Sequence, residues 1–311
     1  MIATALFIYT ETSLHAGVGS TVSVIDLPIQ RERTTQYPIV QGSGIKGALR
    51  SQVVANGDSR AYIDPIFGGE EETVDENNKK NKSNYAGAIS VGDARVVLFP
   101  VRSLMGVFAY VTCPAVLARV GRDVPDFPKL NVQVADENAL VTSSSDVTAS
   151  GRVVLEEFSF AAHNDKSADQ IANWFASKAL PTGAEYDYWR GKLPKSLVIL
   201  HDNAFRDFVV NSTEVTTRVR LDSAKKTVQQ GALWTQEALP SDTLLMSAVI
   251  ARPTRSSTIK NGNGAYSAQE VIKWLHNPQI IPPRIQLGGD ETTGSGMVAL
   301  RWHGGNGGNG S

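Results

Sequence analysis

The amino-acid sequence predicts an α+β protein. Strand-like and helical patterns follow one another without the regular βαβ alternation of a doubly wound parallel sheet. Runs rich in β-branched and aromatic residues recur along the chain, bounded by glycine, proline and polar clusters. The 311 residues are 41% hydrophobic and 20% charged, ordinary values for a globular chain able to bury a core without covalent staples. No internal repeat is visible.

Taken in order, Ile2–Thr10 reads as a first strand: its apolar run lacks a basic leader and is too short to cross a bilayer. A long polar stretch, Thr12–Arg33, follows. After Ser43, expected as the cap, the residues Ile45, Ala48, Leu49 and Val53 form one helical stripe. Gly68–Asn84, charged and rich in Asn and Lys, is expected to be a mobile insertion. Strands are expected at Ala88–Phe99, Gly106–Thr112, Arg152–Phe160 and Leu197–Leu200, with a polar interruption at Leu140–Ser150. Ser167 is expected to cap a helix in which Ile171, Trp174 and Phe175 share a face, and further helices should begin near Asp202 and Ser267. Val215–Leu221 and Thr227–Trp234 alternate around Asp222–Lys226 as a long hairpin carrying Arg218, Arg220, Lys225 and Lys226. Leu244–Arg252 and Arg284–Leu287 complete the strands, and the Gly/Asn/Ser segment 304–311 is expected to be a flexible tail.

Composition narrows the function. Cys113 is the sole cysteine, so an intrachain disulfide and a cysteine zinc cluster are both excluded, and a reducing, cytoplasmic setting is expected. The formal net charge of −1 opposes a free-standing nucleic-acid binder with a broad basic surface. Basic residues nevertheless cluster locally, at Arg31/Arg33, Lys46/Arg50, Arg218/Arg220, Lys225/Lys226 and Arg252/Arg255. Any one pair reads equally as a solvated face.

Three motifs carry candidate chemistry. Gly42-Ser43-Gly44-Ile45-Lys46-Gly47 matches the GxGxxG spacing, but Pro38 precedes it and no βαβ unit with an acidic ribose ligand follows. What survives is a helix start that attracts anions, with Lys46 and Arg50 one turn apart; the bland alternative is a surface helix with two ordinary cations. Leu287–Gly296 is a second glycine-rich loop without the P-loop lysine, so nucleotide hydrolysis is excluded there. Its amides and hydroxyls, at Gly288, Gly289, Thr292, Thr293 and Gly294, suit phosphates or a neighbouring subunit, or simply a hairpin turn. His15 and Asp26, inside the polar loop, are the candidates for acid–base or metal chemistry, although a lone loop aspartate is most often a turn residue and a lone histidine structural.

These segments together resemble the RAMP superfamily, and within it the backbone subunits of type III-B CRISPR effector (Cmr) complexes. The likeness is carried by Ser13-Leu14-His15-Ala16-Gly17, by Ile25-Asp26-Leu27-Pro28-Ile29-Gln30-Arg31-Glu32, and by the run from Gly42 to Arg50. It continues in Phe99-Pro100-Val101-Arg102-Ser103, Leu155-Glu156-Glu157-Phe158 and the Leu287–Gly296 loop. The resemblance implies a single domain over residues 1–303 with an RRM-like (ferredoxin-like) palm, a catalytic loop at about 12–40, finger insertions, and a thumb hairpin at 215–239. It implies stacking of copies along a CRISPR RNA, with other Cmr subunits as partners, no membrane, and cleavage of complementary target RNA at regular intervals. By the same resemblance Asp26 is the catalytic residue and a candidate ligand for Mg2+ or another divalent metal, with His15 nearby and Glu237 as an auxiliary group. Gly42, Ser43, Gly44, Lys46, Arg50, Arg31, Arg218, Arg220, Arg255 and the terminal glycine loop are the expected RNA contacts, since a guide of variable sequence must be held by phosphates and shape.

Two other functions stay open on sequence alone. One is an architectural RNA-binding subunit without catalysis. The other is a small-molecule enzyme holding a nucleotide at Gly42–Gly47.

Overall fold

The computed structural model describes residues 1–20, 24–57, 60–74, 80–129, 131–221, 225, 228–255 and 265–305. The chain begins with β1 (Ile2–Thr10) and β2 (Ile39–Val40), then α1 (Gly42–Ala55), α2 (Arg60–Phe67), β3 (Gly68–Val74), β4 (Lys80–Ala86), β5 (Ile89–Val91), β6 (Ala94–Arg102) and β7 (Phe108–Thr112). It continues through α3 (Pro114–Asp123), β8 (Asn138–Val141), β9 (Thr148–Ala149), β10 (Arg152–Leu155), β11 (Phe158–Asn164), α4 (Lys166–Lys178), α5 (Asp187–Ser196), β12 (Leu197–Leu200) and α6 (Asp202–Asn211). It ends with β13 (Glu214–Leu221), β14 (Val228–Ala238), β15 (Leu244–Ala251), α7 (Ala268–Leu275), β16 (Arg284–Gln286) and β17 (Met297–Gly304).

One large mixed sheet organises the molecule, in the order β16-β17-β1-β15-β6-β7-β12-β8-β11-β10-β9, with β2 beside β6 and β5 beside β15. Among the described strand pairs of this sheet, only β7/β12 and β8/β11 run parallel. Strand β1 is an interior strand between β17 and β15 and is buried on both faces, which explains its unbroken apolar run. Leu6 and Ile8 face a core shared with Ile45, Leu49 and Val53 of α1, Phe205 of α6 and Val271 of α7. Ala5, Phe7 and Tyr9 face the opposite core, with Ile171, Trp174 and Phe175 of α4 and Leu193 of α5. The alternation is the period-two geometry of a strand applied to two helical layers.

Several expectations change at this level. Helix α1 starts at Gly42, its N-cap is Gln41 without a side-chain cap bond, and Ser43 lies inside the first turn. The Asp93 carboxylate accepts from Gly42 N at 2.9 Å, so an acid from the sheet fills part of the place assigned to the serine. Asp165, not Ser167, caps α4, because its carboxylate accepts from the amides of Ser167 and Ala168. Ser267 does cap α7, in a reciprocal capping box with Glu270. Arg152–Phe160 is a tight hairpin rather than one strand, reversing at Glu156 with φ 49°.

The stretch expected to be an insertion at 68–84 forms a separate antiparallel ladder, β3 with β4. The arm 214–238 is a second separate ladder, β13 with β14, pairing Val219 with Leu233 and then shifting register before Leu221. Lys226 and residues 306–311 lie outside the described residues. No helix among the described residues is long and apolar enough to cross a membrane.

Candidate active site

The polar loop after β1 is held along the free edge of β14. At one end Leu14 and Leu239 exchange backbone hydrogen bonds at 2.9 Å. At the other, Leu27 N donates to Thr235 O and Glu237 N donates to Leu27 O, both at 3.0 Å, so this part of the loop acts as a short parallel strand. Between them Val18 N donates to Pro28 O and Gln30 N to Ala16 O, folding the loop back on itself. Two side chains singled out in the sequence, His15 and Asp26, are thereby brought to the same strand.

Asp26 is exposed on this edge. Its Oδ2 accepts from Thr235 N at 2.7 Å and from Thr235 Oγ1 at 2.9 Å, while Asp26 N donates to Thr235 Oγ1 at 3.0 Å. The Thr235 amide and hydroxyl hold the Asp26 carboxyl below the usual carboxylate range. The group is therefore ionised at neutral pH and a weak proton acceptor.

His15 Nδ1 lies 2.6 Å from Glu237 O. A carbonyl only accepts, so Nδ1 carries a proton, which leaves Nε2 as the one ring nitrogen that can act as an acceptor. Gly17 makes room for that ring: a Cβ there would sit 2.5 Å from His15 Nε2.

Glu237 occupies a different environment. It is 3% exposed. Its Oε1 accepts from Arg31 Nη2 at 2.5 Å and Thr213 Oγ1 at 2.8 Å, and its Oε2 accepts from Ile29 N at 3.0 Å. Arg31 Nη1 in turn donates to Gln36 O and Val209 O, both at 2.9 Å. These two residues form a buried brace tying the loop, α6 and the hairpin together, with their polar atoms directed at protein groups.

The terminal glycine loop abuts the same place. Gly289 N donates to His15 O at 3.0 Å and Gly296 N to Ser13 O at 2.8 Å. A Cβ on Gly288, whose φ is 78°, would meet His15 O at 2.4 Å, so glycine is required here by close backbone approach. Thr293 Oγ1 turns back to Asp290 O, whereas Thr292 is exposed beside Gly294. Gln236 donates to Asp290, and Arg218 Nη2 stands 3.8 Å from the same carboxylate.

The start of α1 lies elsewhere on the sheet, next to β5. Gly42 is packed against Val91 O, where a Cβ would come within 2.2 Å. Ser43, Gly44 and Gly47 share an exposed face, and the two glycines have open space above them. Lys46 is half-buried and its Nζ donates to Ile89 O at 3.2 Å, with burial lowering its pKa. Arg50 bonds to Asp64 at 2.8 Å and to Gly68 O at 3.0 Å. The pair read from sequence as two free cations one turn apart is engaged by protein groups, with Arg50 still 44% exposed, while Ser43 and two bare glycines form the outward face. Arg220 and Arg255 are exposed, on the hairpin and just beyond β15.

The model of the RAMP superfamily matches residues 7–298. The chain belongs to the RAMP superfamily. The CRISPR system Cmr endoribonuclease Cmr4 of Pyrococcus furiosus is 35% identical, the match covering 94% of this chain and 93% of that protein. The CRISPR system CMR subunit Cmr4 of Saccharolobus solfataricus is 27% identical, covering 95% of each. The crystal structure of oligomeric Cmr4 from Pyrococcus furiosus superposes with a TM-score of 0.71 at 30% identity, over 97% of this chain and 98% of that one.

Within this RAMP fold the sequence-level list missed Thr235, Thr213 and Asp93. Strand alternation does place Thr235 and Glu237 on one face of β14, a signal available in the sequence. Which loop residue docks there is a tertiary fact.

Proposed function

We propose that this chain is a backbone subunit of a type III-B CRISPR RNA-guided complex, repeated along the CRISPR RNA, and that it cuts complementary target RNA at regular intervals. Its kinship with a relative named as a Cmr endoribonuclease supports the reading. The observation that carries it is Asp26, an exposed carboxylate held ionised by Thr235 on the strand that also orients His15. In this reading the central strands with α1 are an RRM-like palm, the β13–β14 hairpin is the thumb, β3–β4 is a finger, and the complex works in the cytoplasm.

The chemistry follows from these groups. In-line cleavage needs the ribose 2′-hydroxyl aligned with its phosphate, and the weakly basic Asp26 suits orienting that hydroxyl or holding a cation rather than removing the proton. His15, with Nδ1 as donor, offers Nε2 as the acceptor for that proton. Among the described residues no group of three or more His, Cys, Asp or Glu side chains is placed to hold a metal. A magnesium-like ion, which needs only one or two protein carboxylates, would be held by Asp26 and would supply charge neutralisation at the phosphate.

Guide phosphates would lie over the Ser43, Gly44 and Gly47 face with Lys46 beside them, and Arg220 and Arg255 would add local contacts. Arg31, Arg50 and Glu237 serve as braces. Cleavage of labelled complementary RNA by the reconstituted complex, with and without magnesium, tests the proposal. Asp26→Ala should bind target but leave it uncut; normal cutting by that variant would overturn the assignment.

A further inference from the structure

We infer that Thr235 is a positioning residue for cleavage: it clamps Oδ2 of Asp26 so that Oδ1 is the oxygen presented to the RNA. This rests on the cleavage role proposed for Asp26 and names the residue through which the fold controls it.

The clamp is a closed set of bonds. Thr235 donates twice to one carboxylate oxygen, through its amide at 2.7 Å and its hydroxyl at 2.9 Å. The hydroxyl oxygen accepts from Asp26 N at 3.0 Å, so donor and acceptor capacity at Thr235 Oγ1 are both used on one residue. Val24 O, at 3.5 Å, is a poorer acceptor for the same hydroxyl proton. The three bonds fix the backbone of Asp26 and the rotation of its carboxylate together.

An exposed aspartate on a loop would otherwise sample several rotamers, and ordering it at the moment of reaction would raise the barrier. The clamp is built on a rigid element, because the same Thr235 carbonyl accepts from Leu27 N and locks the following residue in register. Strand periodicity then spaces Asp26 from His15: one is tied to residue 235 and the other to residue 237, about 7 Å apart along β14.

The test uses the complete complex with guide RNA and magnesium, and measures single-turnover cleavage and target affinity for wild type, Thr235→Val, Thr235→Ser and Asp26→Ala. Thr235→Val keeps shape and the amide bond but removes the hydroxyl. It should slow cleavage about 10–100-fold with target affinity within about twofold of wild type, and Thr235→Ser should restore most of the lost rate. If Thr235→Val cuts at the wild-type rate while Asp26→Ala is inactive, the positioning role fails and the catalytic assignment stands. Normal cutting by Asp26→Ala removes both. Equal losses in Thr235→Ser and Thr235→Val, or a loss of affinity matching the loss of rate, would mark Thr235 as merely structural and overturn the inference.

Discussion

Glu237 and Arg31 meet inside the protein, 2.5 Å apart, with side chains 4% and 15% exposed. The pair joins the loop bearing Asp26 to the base of the hairpin; Ile29 and Thr213 also donate to Glu237, and Gln36 and Val209 accept from Arg31. Cutting either side chain leaves a buried charge without its counterion. Glu237→Ala and Arg31→Ala should each destabilise the protein by about 3–5 kcal/mol, whereas Arg31→Met combined with Glu237→Leu should cost less than either. Urea unfolding of the four proteins measures the difference; a stable Glu237→Ala variant that has lost only cleavage would instead show Glu237 acting directly.

The terminal loop separates two reasons for glycine. Gly294 has φ 82° with nothing near its missing Cβ, so Gly294→Ala should cost about 1–2 kcal/mol from backbone strain alone. Gly296 has φ 75° and a Cβ there would fall 1.9 Å from Leu287 O, which forces the backbone apart. Gly296→Ala should be the more damaging change, and should loosen the bond from Gly296 N to Ser13 O that docks the loop beside His15. Thermal unfolding ranks the two variants.

On α1 the expected effects on stability and RNA binding run in opposite directions. Gly47 is helical, exposed and unobstructed, so Gly47→Ala should stabilise the chain by about 0.5–1 kcal/mol. If guide phosphates lie over this bare face, the same change should weaken guide binding. Lys46→Ala should lower the slope of log affinity against log salt by about 1, the signature of one lost phosphate contact. Guide-binding titrations across a salt series distinguish a phosphate-contacting Lys46 from one used only to reach Ile89 O.

His276 shares a hydrogen bond with Thr4 and stacks on Trp302 at 5.1 Å. Burial lowers its pKa from 6.5 to about 4. Between those values the unfolded chain binds the proton and the folded chain does not, so its contribution to stability is complete above about pH 6.5, falls as pH drops, and is lost below about pH 4. Allowing for solvent screening, the effect should be about 1–2 kcal/mol. Urea midpoints at pH 7 and pH 4.5 should therefore fall further for wild type than for His276→Gln.

Local signals written in the sequence survived where they depend on short-range chemistry. The strand Leu197–Leu200, the stripe Ile45, Leu49, Val53 and the helix start near Ser267 were legible because alternation, helical period and helix-start signals act within a few residues. Ser43 and Ser167 failed as caps because better acceptors competed: Asp165 lies two residues before Ser167, and Asp93 meets α1 from the adjacent β5–β6 turn.

The sequence by itself determined the mixed class, the buried first strand, the hairpin arm and the candidacy of His15 and Asp26. Tertiary structure decided what those residues became. Asp26 gained its fixed oxygen from Thr235, 209 positions away, and His15 its tautomer from the carbonyl of Glu237. Glu237 was drawn inward by Arg31, and Lys46 and Arg50 found partners in strand β5 and helix α2. The reason is physical: periodicity constrains which face a side chain points from, whereas the partner that meets it is set by long-range packing of the sheet, which no local pattern encodes.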